Sequence, residues 1–238
     1  MKDLIAKIKK YFRFSIDEIK SIAIASLLIG FMFAFRDFSL LNFVYAIIVV
    51  VLSLLFHIII QKIVSLHMGF EADFKLWWYG LLIGLAVTFV SNGKVWWLVL
   101  PGGLAFSILA RHRLGKFRYG LNYWPMGIIA FSGPIASIVF GTIFKNIELY
   151  IFQTPIPFLH NIFIFNLVLA VCSMIPIPPL DGHYMFYASR MWFSFLFGTI
   201  FSYAILTLVF EIYSWVWAII IGIVIWLIYY IKIEKGLW

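Results

Sequence analysis

With 238 residues, of which 64% are hydrophobic and only 12% charged, the chain lies far outside the composition of water-soluble domains and reads as a polytopic membrane protein. Its formal charge of +8, from 18 Lys and Arg against 10 Asp and Glu, is spread in the pattern membrane topology requires, so no nucleic-acid partner is expected. Cys172 is the only cysteine, which excludes an internal disulfide and a Cys-based zinc cluster.

The N-terminal stretch MKDLIAKIKKYFRFSIDEIKS is basic, and Ser15 with Glu18 has capping-box spacing just before an apolar run. Residues 1–20 are expected to form a cytoplasmic amphipathic segment, and 21–238 a single transmembrane domain. Apolar runs near the ~20 residues needed to cross a bilayer recur at 21–35, 39–64, 76–91, 95–110, 121–144, 158–175, 189–210 and 213–231. The expected fold class is therefore an all-α polytopic membrane protein of about six to eight transmembrane helices. If the N-terminus is cytoplasmic and all eight runs cross, fifteen of the 18 Lys and Arg fall inside and only Arg36, Lys94 and Lys145 outside. That positive-inside bias places both termini in the cytoplasm. The run LVLPGGLAF carries Pro101, Gly102 and Gly103 inside a nominal span, so the pair of runs over 76–110 is open to three readings: a crossing pair, a re-entrant hairpin or an interfacial sheet.

In this topology the runs at 39–64 and 158–175 both travel inward and deliver His57 and Asp181 to a similar depth. An ionisable residue retained there lines a cavity or has a partner. Pro176, Pro178 and Pro179 each remove a backbone donor and disfavour helix in the residue before them, so SMIPIPPLDGH must leave the helix ahead of Asp181. A plain loop at the cytoplasmic surface is the competing reading.

MIPIPPLDGH resembles the N-x-x-P-x-x-x-L-D-G motif of the site-2 protease family of intramembrane zinc metalloproteases, in which the Asp is a zinc ligand. SGPIAS, Ser132 to Ser137, resembles the family's G-P-x-x-N helix, and FHIIIQ lies where the family carries its H-E-x-x-H helix. Order and spacing agree over about residues 40–190, which the resemblance makes a protease-like core. It implies remnant metal positions at His57 and Asp181, with Gln61 at the second His position and Ile58 at the general-base position. The binding or structural motif positions are Gly133, Pro134, Ser137, Ser173, Pro176, Leu180 and Gly182, with Ser137 and Ser173 where the family has Asn.

A catalytic zinc needs three protein ligands and a water beside a general base. Ile58 has no proton to move, and Gln61 offers a neutral amide. No zinc is expected unless His183, His67, Glu71 or Asp73 completes the set. His112 belongs to the basic loop RHRLGKFR, a topology determinant and anionic-lipid contact, and His160 lies near the outer face. The expected function is that of a pseudoprotease that binds membrane-embedded protein segments within the lipid bilayer. The alternatives are an active zinc intramembrane metalloprotease with a rearranged site, and a transporter or channel using His57, Gln61 and Asp181.

Overall fold

The computed structural model describes residues 2–108, 122–154, 156–211 and 213–235. The basic segment forms α1 (Lys2–Tyr11), followed by α2 (Ile16–Ala34). Ser15 caps α2, its Oγ accepting from the Glu18 N–H at 3.1 Å. The return half of the capping box is missing because the Glu18 carboxylate is drawn elsewhere: it accepts from the Lys62 ammonium at 2.6 Å and from the Phe74 N–H at 3.0 Å.

The helix α3 (Leu40–Met68) is the longest uninterrupted α-helix among the described residues, at 29 residues. At 1.5 Å per residue it extends about 44 Å, well beyond a ~30 Å hydrocarbon core. Gly69 ends it in the left-handed conformation, with φ +86°. The chain then enters β1 (Phe70–Leu76), α4 (Trp78–Val90) and β2 (Gly102–Ile108). β1 and β2 pair antiparallel, with Phe70 opposite Ile108 and Leu76 opposite Gly102.

This adds one two-stranded sheet to the predominantly helical fold expected, and it decides the form of the ambiguous stretch. Residues 95–101 have no regular structure and 102–108 form a strand, so no helix forms over 95–108. Pro101 and the two glycines after it disfavour a helix, and the strand those glycines open is satisfied by pairing with β1. Phe70, Ala72 and Phe74 point inward while Glu71, Asp73 and Lys75 point away, the period-2 alternation of a half-buried strand.

Next come α5 (Tyr123–Ile147), running into a π turn over Glu148–Phe152, then α6 (Pro157–Ser173), α7 (Asp181–Ala188), α8 (Arg190–Phe210) and α9 (Trp215–Tyr229). Four helical stretches are long and apolar enough to cross a membrane: Leu40–Met68, Tyr123–Phe152, Arg190–Phe210 and Trp215–Glu234. Trp78–Val90 and Pro157–Ser173 are apolar but shorter. The described residues thus form a predominantly helical membrane protein with four full-length candidate spans and two shorter apolar helices.

Two packing centres meet at α6, which is buried around most of its circumference. On one side Phe165 and Leu169 pack with Ile29, Val50, Leu54 and Leu81. On the other, Phe163 and Leu167 pack with Ile138, Phe193, Ile200 and Tyr203. The sheet lays Phe70 and Leu104 on Met126 and Ile129 of α5. In contrast, α9 is largely unburied and its contacts are chiefly with α8.

Candidate functional site

Along α3, Ser53, His57, Gln61 and Ser65 recur every fourth residue and are all buried on one face. Each finds a partner across the helix. Ser53 accepts from the Asn166 side-chain amide of α6 at 2.8 Å, and Ser65 donates to the Phe70 carbonyl at 2.8 Å. The two central residues meet α5 and α7. His57 Nδ1 lies 2.8 Å from Ser137 Oγ, and His57 Nε2 lies 3.1 Å from Asp181 Oδ2. Gln61 Nε2 donates to the same Asp181 oxygen at 2.9 Å and to the Ala130 carbonyl at 3.3 Å. Residues separated by 120 positions and more are therefore in hydrogen-bond contact.

The local sequence explains how α5 offers this face. Pro134 sits inside the helix and lacks the N–H that would bond the Ala130 carbonyl four residues back. That freed carbonyl is the one Gln61 donates to. Gly133 makes the approach possible, because a Cβ there would run into His57 Nε2 and the Gln61 amide. Gly182 serves the same purpose on α7, where a Cβ would strike the Met174 carbonyl. The segment from Met174 to Leu180 is non-helical, as the prolines dictate, with Pro176 exposed and Leu180 buried. Ser173, at the end of α6, is buried and donates to the Ala170 carbonyl. Asp181 opens α7, where the helix N-terminus favours its carboxylate.

The donor directions fix the Gln61 amide. Asp181 Oδ2 and the Ala130 carbonyl are both acceptors, so the amide must turn its NH2 toward them and its oxygen away. The pattern that satisfies His57 has Nε2–H donating to Asp181 and the Ser137 hydroxyl donating to Nδ1. Asp181 Oδ2 thus receives two N–H groups, while its Oδ1 is buried without a partner. Beside it is a cavity of about 10 Å³ bounded by Leu54, Phe74, Gly102, Gly103, Leu169 and Ser173, among others. This is room for about one water.

The residues present do not fit a catalytic zinc. Among the described residues, no third His, Cys, Asp or Glu joins His57 and Asp181. Gln61 presents hydrogens, not a lone pair, to the place where a cation would sit. Ile58 is completely buried against Ile22 and Phe74. The candidate substitutes go elsewhere: His67 is exposed, and Asp73 pairs with Lys62 at 3.3 Å. His183 packs on Tyr187, with ring centroids 4.7 Å apart, and partial burial lowers its imidazole pKa. Its neighbour Tyr184 donates to the Leu104 carbonyl of β2 at 3.1 Å. Burial, then the Asp181 and Tyr123 charges, raise that phenol, which therefore remains a donor. The Ser137, His57 and Asp181 chain has the order of a nucleophilic relay, but Ser137 is wholly buried and does not border the cavity, so no carbonyl carbon can reach it. The basic loop at 111–118 with His112 lies outside the described residues.

Sequence reasoning missed a second buried polar cluster one residue further along α3. Lys62, 4% exposed, binds Glu18 of α2 and Asp73 of β1, with the Phe14 ring 4.9 Å from its ammonium. The signal was available: a lysine directly after Gln61 inside an apolar helix needs a carboxylate, and the Ser15-capped turn supplies one.

The chain is 28% identical over 173 residues to a protein of Methanocaldococcus jannaschii named "Putative zinc metalloprotease MJ0611"; the match covers 72% of this chain and 84% of that protein. No protein-family description matches the chain, and no solved structure does.

Proposed function

We propose that this chain is a site-2-protease-like membrane protein that has lost peptide-bond hydrolysis and acts by binding membrane-embedded protein segments. The likeness to a protein named as a zinc metalloprotease supports descent from metal-dependent chemistry. The convergence of His57, Gln61, Ser137 and Asp181 supports the motif alignment across α3, α5 and α7. The observation that carries the loss of activity is the Gln61 amide hydrogen-bonded to Asp181, with the apolar Ile58 buried at the position of the base. Removing a general base alone costs ~10² to 10⁴ in rate, and removing a ligand weakens the metal as well. With both termini in the cytoplasm, the cluster lies buried toward the cytoplasmic half of α3.

The test is metal analysis of the purified protein, combined with reconstitution beside labelled single-span helices. The expected result is far less than one zinc per chain, no cleavage, and energy transfer between this chain and at least one helix. Stoichiometric zinc with chelator-sensitive cleavage would establish an active protease instead. Absence of energy transfer across the panel, with no cleavage, would remove the binding role.

A further inference from the structure

We infer that the N-terminal arm, residues 2–20, is a docking surface for anionic lipid headgroups, an interaction independent of the His57 cluster. The helix α1 leans on α3 through one side, with Leu4, Ile8 and Tyr11 half-buried. Its other side turns outward and continues past the break into the first turn of α2. That outer surface presents Lys9, Lys10, Arg13 and Lys20, all exposed. Between them stand Ile5, Ile16 and Ile19, exposed by 55%, 73% and 55%. Bulky apolar side chains interleaved with cations are poorly placed in open water and well placed at the boundary of headgroups and acyl chains.

The charge balance points to an anionic layer. Of the two acids near the start of α2, Glu18 is buried against Lys62, and Asp17 is spent on Lys20 at 3.9 Å. Lys9, Lys10 and Arg13 remain without a described carboxylate, at the entry of a chain whose apolar surface lies in the bilayer. The arm is also fixed in place: Phe14 stacks on Lys62, and Glu18 holds both Lys62 and the Phe74 N–H. Its cations are therefore presented from a segment tied to α3 and β1, next to the strand that bounds the cavity.

Each Lys or Arg at an anionic surface contributes about five-fold in partitioning, so three together contribute about 100-fold, screened by salt. The experiment is amide hydrogen exchange of the full chain in nanodiscs of purely zwitterionic lipid and of the same lipid containing about one-third phosphatidylglycerol. Amides of residues 2–13 are expected to exchange at least ten-fold more slowly in the anionic discs. The difference should vanish in high salt and in a Lys9→Gln/Lys10→Gln/Arg13→Gln variant, whose exchange in zwitterionic discs should match that of the unmodified protein. Equal exchange in both lipids overturns the inference, as does protection that survives both salt and charge removal. The salt series on the unmodified protein decides the matter even if the variant misfolds.

Discussion

Replacing Gln61 with Leu tests the hydrogen-bonded site directly. The side chain donates to Asp181 Oδ2 at 2.9 Å and to the Ala130 carbonyl at 3.3 Å, and both acceptors are buried. Pro134 cannot supply the missing helical N–H, so Ala130 has no donor to fall back on. Asp181 keeps only the His57 contact, with Oδ1 already unpartnered. Each stranded acceptor costs ~1–3 kcal/mol, and the added apolar burial of Leu returns part of that, leaving a net loss of ~2–4 kcal/mol. Equilibrium unfolding in mixed micelles, followed by tryptophan fluorescence, reads this as a lower midpoint. The companion change Pro134→Ala restores an N–H to the Ala130 carbonyl, so in that background the Gln61→Leu loss should shrink by ~1 kcal/mol. An unchanged or higher midpoint for Gln61→Leu would refute the claim that this amide holds α3 to α5 and α7.

Gly133→Ala, which pushes a methyl into His57 and Gln61, should lower stability by ~1–3 kcal/mol in the same assay. Lys62→Met strands Glu18 in an apolar setting and should cost ~3–5 kcal/mol, most of it recovered in Lys62→Met/Glu18→Met; a double variant as unstable as the single would show that the pair is not isolated. Ile58→Glu/Gln61→His places two imidazoles one helical turn apart beside Asp181 and should raise zinc content toward one per chain by elemental analysis, whereas Ile58→Glu alone should not.

What could be read in the sequence, and what could not, divides along a physical line. Apolar runs of about twenty residues gave the long helices, because length and hydropathy alone decide whether a helix can cross a bilayer. The same rule left 95–110 open between span and sheet, since a short buried strand and a buried helix are equally apolar. Two signals favour the sheet. FEADFKL alternates between buried and outward-facing positions, and PGG stands at the head of its partner. The shortened α4 and α6 are another consequence of scoring apolarity without packing. Being central, α6 meets other helices rather than lipid over much of its surface, so its 17 residues satisfy the core instead of the membrane thickness.

The site was legible as a set of residues but not as a set of bonds. The motif resemblance put His57, Gln61, Ser137 and Asp181 into one frame; only the structure shows that their hydrogen bonds close on each other. Pro134 illustrates why. In the sequence it marks a motif, and in the helix it exposes a carbonyl that a neighbouring side chain must satisfy. A histidine at position 61 could meet that carbonyl or a metal, but not both through one nitrogen. Gln61 carries two hydrogens on one nitrogen and bridges the carbonyl and the carboxylate together. Gln61 thus supplies the two donors that the buried acceptors need, which is how this one side chain ties α3 to both α5 and α7.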